Sequence, residues 1–250
     1  MQAVTGLRAG SDGHHVVLSD GTQVSSRAVL VATGATYRRL GIPSLERLHG
    51  TGVFYGAAVA EAQALTNQRV FVAGGGNSAG QAALHLADYA EQVAVVVRGD
   101  SLTASMSEYL IKEIDATANI EVRVRTEVMG GEGHGRLEAL VLQDRATGER
   151  RREPAAALFV LIGAQPHTDW LPPVIKRDDW GYVLTGQELL RGGKPPPSWP
   201  LERQPMLLET SVPGVFAAGD VRARSVKRVA SAVGEGAIAI QLIHDYLAKG

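Results

Sequence analysis

An α/β fold with a doubly wound parallel sheet is predicted by three observations. From residue 68 onward, short apolar runs alternate with helical stretches. The run ending at Ala73 enters a glycine cluster, GGGNSAG, that opens an alanine-rich segment. A late apolar run, GVFAAGD at 214–220, leads into a long final helix.

Residues 14–33, HHVVLSDGTQVSSRAVLVAT, read as a β-hairpin and a following strand, with Asp20-Gly21 as the turn. An irregular stretch runs from Gly34 to about residue 68. Residues 68–73 read as a buried strand and 77–90 as a helix, on which Ala79, Ala82, Ala83, Leu86 and Ala90 recur at helical spacing. A second buried strand is expected over 93–97 and a helix over 106–116, with Tyr109, Leu110 and Ile114 on its apolar side. Residues 120–125 alternate like a strand. Residues 137–143, a turn at Thr147-Gly148 and a return over 157–162 suggest a hairpin closing this unit. The Pro- and Gly-rich stretch RGGKPPPSWP at 191–200 reads as a surface insertion. The last helix is expected over 229–248.

Composition narrows the function classes. A hydrophobic fraction of 45% over 250 residues is enough for one large core or two modest ones. Net charge is -1 with no basic block, which argues against a nucleic-acid partner. Apolar runs such as LFVLIGA are too short to span a bilayer, and no basic segment precedes an apolar one at the N-terminus, so a cytoplasmic setting is expected. There are no cysteines, which excludes disulfides, thiolate metal sites and thiol catalysis in this chain. His14-His15 has no third ligand nearby in sequence and reads as a solvated pair rather than a metal site. No G-x-S-x-G elbow occurs, so a serine-hydrolase reading has no support.

The glycine cluster fits G-x-G-x-x-A, with Gly74, Gly76 and Ala79 at the three positions. The first glycine allows a tight turn, the second lets backbone approach a pyrophosphate, and the small third residue lets helix pack on strand. Gly75, Asn77 and Ser78 bring N–H groups to the helix N-terminus, where phosphate binds. The motif follows a buried strand and opens a helix, the context it needs. The second strand then chooses the nucleotide. An NAD site places an acid about 20 residues after the glycines, at the ribose 2′-OH. This strand ends VVVRGD, with Arg98 near that position, so NADP is favoured over NAD; Asp100 two residues on is the competing signal.

Two further turns suit close approach of a ligand. LVATGA ends a strand with Thr33, Gly34 and Ala35. TSVPGVFAAGD ends another at Gly219-Asp220, where a carboxylate can accept hydrogen bonds from a polyol such as ribitol. The helix beyond carries small residues, and its N-terminus would face a flavin ring.

The order ATG, GGGNSA, TSVPGVFAAGD resembles the low-molecular-weight thioredoxin reductases over nearly the whole chain. The resemblance implies two Rossmann-like three-layer domains, an NADP-binding domain (56–163) inserted into an FAD-binding domain (1–55 and 164–250), and a homodimer. It assigns Gly74 to Ala79 and Arg98 to NADP(H), and places Ile162, Gly163 and Ala164 at the turn where the chain leaves that domain, with Gly163 counted among the cofactor-binding residues. It assigns Thr33, Gly34, Ala35, Gly219 and Asp220 to FAD, and places Lys227, Arg228 and Val229 on the family's Arg-Gln-Ala segment beside the flavin. Four departures stand out. Gly56 and Val59 occupy the positions of the family's C-x-x-C pair. The family's first glycine loop, which holds the ADP part of FAD, precedes the ATG segment, and this chain is expected to begin after it. The family's H-R-R-x-x-x-R signature is reduced to Val97, Arg98, Gly99 and Thr103. Arg-Gln-Ala has become Lys-Arg-Val. The segments GGGNSAGQAA, SMSEYLI and VKRVASAVGEG resemble a cysteine-less branch, some members of which are fused to sensor domains.

The function expected from this is an NADPH-dependent FAD oxidoreductase module without the redox-active pair. Its electrons would pass to a small-molecule or protein acceptor such as a quinone, a ferredoxin or oxygen. Flavin is expected to be weak or absent in the isolated chain. Two alternatives stand beside it: a non-catalytic NADP-binding remnant or truncated fragment, and a ferredoxin–NADP reductase-like enzyme.

Overall fold

A computed structural model describes residues 2–10, 13–56 and 62–249. The chain divides into two compact units, one of residues 1–36 and 165–250 and one of residues 37–164. The second is therefore inserted into the first. The sequence reading starts the inserted unit at residue 56, whereas the division falls at Thr36 and Tyr37. The reason is that residues 43–55 already belong to the inserted unit's core, as described below.

The chain opens with β1 (Val4–Gly10), β2 (Gly13–Leu18) and β3 (Gln23–Ser26), an antiparallel three-stranded sheet. The β2–β3 turn carries Asp20-Gly21 as expected; β1 is an added strand. Its alternation is interrupted by Gly6 and Gly10, which hides it in the sequence. His14 corrects an expectation: it is buried, not solvated. It lies in β2, and burial lowers the pKa of its imidazole from the ordinary value. Next come β4 (Val29–Val31) and β5 (Ala35–Tyr37).

The inserted unit continues with α1 (Pro43–Glu46), β6 (Val53–Tyr55), β7 (Arg69–Ala73), α2 (Asn77–Ala87), β8 (Gln92–Val96), α3 (Glu108–Ala116) and β9 (Ile120–Arg123). It ends with β10 (Thr126–Glu132), β11 (Ala139–Asp144), β12 (Arg150–Pro154) and β13 (Ala157–Val160). Five strands form one parallel sheet in the order β6-β13-β7-β8-β9. Side chains along each strand alternate between the two faces. Val70, Val72, Val93, Val95 and Phe159 join Ala79, Ala83, Leu86, Leu110 and Ile114 of the helices. Phe71, Ala94, Val96, Leu158 and Val160 join Leu45, Val128, Leu140 and Leu142 on the opposite face. The result is three layers: α2 and α3, the parallel sheet, and an antiparallel β10-β11-β12 sheet with α1.

Two expectations are corrected here. Residues 157–162 do not return as a hairpin. The partner of β11 is β12, built from the charged RRREP, while β13 pairs in parallel with β6 and β7. All four residues of β13 are buried, as a central parallel strand requires. On α3, Leu110 and Ile114 are buried, but Tyr109 is 56% exposed. Residues four apart share a helix face; a neighbour one residue away is turned about 100° from it.

The first unit resumes with β14 (Ala164–Pro166), β15 (Val215–Ala217) and α4 (Val229–Lys249). β15 pairs in parallel with β4, and β14 pairs with β5. One face of the β4–β15 pair packs with Leu7, Ile175 and Val183. The other meets Ala239, Leu242 and Ile243 of α4. The 191–200 stretch is mainly exposed, yet Trp199 is buried and its indole N–H donates to the Arg203 carbonyl at 2.6 Å. Among the described residues no helix is long and apolar enough to cross a membrane, and no cluster of three potential metal ligands occurs.

Candidate functional site

In the inserted unit, the glycine loop joins β7 to α2 at the carboxyl end of the parallel sheet. Gly74 has φ +149°, and a Cβ there would lie 2.4 Å from the Leu161 carbonyl oxygen and 3.2 Å from the Ala79 Cβ. Only glycine fits such a turn. Gly76 is different. A Cβ there would meet only the Ser105 carbonyl oxygen, at 3.8 Å, so its outer side is open. The N–H groups of Gly75, Gly76, Asn77 and Ser78 find no acceptor among the described residues, and no side chain caps α2. Open backbone and free donors at a helix N-terminus suit a pyrophosphate.

The loop is braced from one side. Ser105 Oγ donates to the Gly75 carbonyl at 2.8 Å, and Asn77 Oδ1 accepts from the Ser107 N–H at 2.8 Å and its hydroxyl at 2.9 Å. Asn77 thus also braces the start of α3. Ala79 is fully buried against the sheet, as the motif requires. Arg98 follows β8 and is exposed; its carbonyl accepts from Arg145 Nη1 at 2.9 Å. Gly163 accepts from the Arg38 N–H at 3.0 Å, with open space where a Cβ would stand. At Gly56 a Cβ would lie 2.8 Å from the Tyr37 ring, so even the cysteine of a C-x-x-C pair would need the ring to move. Val59 lies outside the described residues.

In the other unit, the parallel pairing of β4 with β15 sets Val31 beside Ala217. Both strands end on the same edge, so Thr33–Ala35 and Gly219–Asp220 emerge together. Ligands of open α/β sheets bind at such an edge. Thr33 Oγ1 donates to the His167 carbonyl at 2.8 Å, and the His167 N–H donates to the Gly34 carbonyl at 3.1 Å. Asp220 Oδ1 is buried without a hydrogen-bond partner among the described residues. A buried carboxylate oxygen left unpaired calls for an explanation, and a ligand hydroxyl supplies one. Lys227, Arg228 and Val229 lead into α4 and are exposed. The Lys227 ammonium nevertheless sits 4.1 Å from the Tyr182 ring centroid, and this partial burial lowers its pKa from the ordinary lysine value.

Residues 2–236 match the family of pyridine nucleotide-disulphide oxidoreductases. The chain belongs to that family. Among its relatives is a thioredoxin reductase of Treponema pallidum, 32% identical over 235 residues that make up 93% of this chain and 68% of that protein. Another is a 34.2 kDa protein in the rubredoxin operon of Clostridium pasteurianum, 29% identical over 95% of this chain and 70% of that protein. A solved thioredoxin reductase from Giardia duodenalis superposes with a TM-score of 0.79 at 27% identity, covering 99% of this chain and 74% of that one. The chain is thus a thioredoxin reductase-like member of the family with no cysteine of its own.

Sequence reasoning missed the residues that hold the Gly219-Asp220 turn. Glu235 Oε2 accepts from the Gly219 N–H at 2.7 Å. Arg222 grips the same carboxylate twice, at 3.0 and 2.8 Å, and also donates to Thr185 Oγ1 at 2.7 Å. Arg222 and Glu235 lie thirteen positions apart, too far for any helical or turn template. The available signal was a lone acid among the small residues of VASAVGEGAIA.

Burial pushes the Glu235 carboxyl up, but Arg222 and the Gly219 N–H outweigh it and hold it below its ordinary value of 4.5. A lowered folded-state pKa gives stability that is present above about pH 4.5 and is lost as pH falls through the folded-state value. Glu235→Gln is expected to cost about 2 kcal/mol at neutral pH, less than for a fully buried pair. Urea unfolding at several pH values checks this: the gap between wild type and variant should close in acid.

Proposed function

We propose that the chain is an NADPH-dependent flavin oxidoreductase module of thioredoxin reductase type. The inserted unit binds NADPH and the other unit binds the flavin and ribitol end of FAD. When both are bound, NADPH supplies a hydride and FAD accepts it, and the electron pair leaves for a small-molecule or protein acceptor other than a cysteine pair of this chain. The observation that carries the reading is the glycine loop, open at Gly76 and lined by four N–H groups without acceptors among the described residues. The unpaired Asp220 oxygen supports the flavin half.

The chain's own residues bind and orient. Gly74 and Ala79 hold α2 close enough for its N-terminus to face a pyrophosphate. Arg98 stands at the end of the second strand, where an NAD site places an acid. Glu235 and Arg222 fix the turn that presents Asp220. Lys227, kept near the Tyr182 ring, offers a cation beside Asp220. The contacts of the first unit serve the flavin end. An ADP end would need further phosphate contacts, such as a glycine loop at a helix N-terminus.

NADPH is expected to bind more tightly than NADH. The margin should be about tenfold, the low end for a charge-assisted contact made by an exposed arginine. Fluorescence titration of both nucleotides into wild type and Arg98→Ala checks this. The variant should lose most of the margin, and equal affinities in the wild type would refute the assignment of Arg98.

A further inference from the structure

We infer that Arg125 and Arg145 complete, with Arg98, a three-arginine site for the 2′-phosphate of NADPH. The inference rests on the NADPH reading above. The three residues come from separate segments: the loop after β8, the β9–β10 turn and the β11–β12 turn. Backbone hydrogen bonds lace them together. The Arg125 N–H donates to the Gly99 carbonyl at 2.9 Å, and the Arg145 N–H donates to the Arg125 carbonyl at 2.7 Å. Arg145 Nη1 reaches the Arg98 carbonyl at 2.9 Å. All three arginines therefore gather at residues 98–99, immediately past the end of the second strand. That is where a nucleotide's ribose 2′ position lies in this kind of fold.

The charges there are largely uncommitted. The Arg98 and Arg125 side chains make no hydrogen bond or ion pair among the described residues. Arg145 Nε lies 3.8 Å from Glu127, a loose contact at a half-exposed position. Two other acids are close. Asp144 spends one carboxylate oxygen on the Ala146 and Thr147 N–H groups of its own turn, and Asp100 follows Gly99 in the loop. The loop from Gly99 to Ser105 carries no further cation. Neighbouring turns supply what it lacks.

The backbone of Arg125 adds an independent argument. Its φ is +49°, in the left-handed region where glycine and asparagine sit more easily. A turn that glycine would suit better carries an arginine instead. Its N–H bond to Gly99 needs no side chain, so the guanidinium stays available to a ligand, in competition with Asp144, whose carboxyl its charge helps to hold below the ordinary value.

The test titrates NADPH and NADH into wild type, Arg125→Gly and Arg145→Gln. Each variant is expected to narrow the NADPH preference by roughly twofold to threefold and to flatten its dependence on salt. Arg125→Gly should keep or raise thermal stability, because glycine relieves the left-handed backbone. A lost preference with stability intact cannot be unfolding. Arg145→Lys should restore part of the effect, since a charge returns without the planar fork. The inference is overturned if wild type prefers NADPH, Arg98→Ala erases that preference, and both turn variants keep it in full. If wild type binds neither nucleotide, or both equally, the underlying NADPH reading fails first, before any variant is made, and the inference falls with it.

Discussion

Gly74→Ala is expected to abolish measurable NADPH binding and to destabilise the inserted unit by about 3 kcal/mol or more. The reason is local. The new Cβ would stand 2.4 Å from the Leu161 carbonyl oxygen and 2.9 Å from its carbon, both backbone atoms of the segment that leaves β13. Neither can swing aside as a side-chain tip would. The φ of +149° adds strain that alanine cannot relieve. Relaxation that separates Gly74 from the Leu161 segment would shift the start of α2, and with it the four N–H groups proposed to face a pyrophosphate. Urea unfolding measures the stability loss, and nucleotide fluorescence measures the binding loss. Gly76→Ala is the informative contrast. With only Ser105 near the added methyl, at 3.8 Å, it should fold normally and lose affinity by blocking the ligand's approach.

Asp220→Ala should separate flavin affinity from stability. In the free chain its buried Oδ1 has no partner among the described residues. Deleting an unpaired buried oxygen relieves a desolvation cost, so stability should hold or rise. A ligand hydroxyl that uses this carboxylate would lose about 1.5–3 kcal/mol, or roughly ten- to hundredfold in FAD affinity. Equilibrium dialysis against FAD, with thermal melts alongside, reads both quantities. Unchanged FAD affinity in the variant would remove Asp220 from the site.

The parts legible in the sequence were those with local signals. The strand–glycine–helix unit at 69–87 carries its own periodicity and turn chemistry, and the parallel sheet followed from it. The hairpin at Asp20-Gly21 and the helix from Val229 were read for the same reason. What stayed hidden depends on distant partners. β13 and β12 are both short, and nothing local says which one returns to β11. The answer lies in burial: ALFV is wholly buried between β6 and β7, while RRREP lies at an edge with most of its residues exposed. His14 looked solvated because alternation cannot tell which face of a hairpin packs inward. The Arg222–Glu235 clamp and the meeting of Arg98 with Arg125 and Arg145 are tertiary contacts between segments that share no sequence pattern.

We propose hydride transfer from NADPH to FAD on this cysteine-free chain. Its most direct test is anaerobic bleaching of the flavin's visible absorption when NADPH is added to the chain at saturating FAD. Free FAD and the Gly74→Ala chain serve as controls. NADPH is expected to bleach the flavin with the wild-type chain well above the rate seen with free FAD, NADH to be slower at equal concentration, and Gly74→Ala to fall back to the free-flavin rate. Bleaching no faster than that of free FAD, with both cofactors shown to be bound, would contradict it.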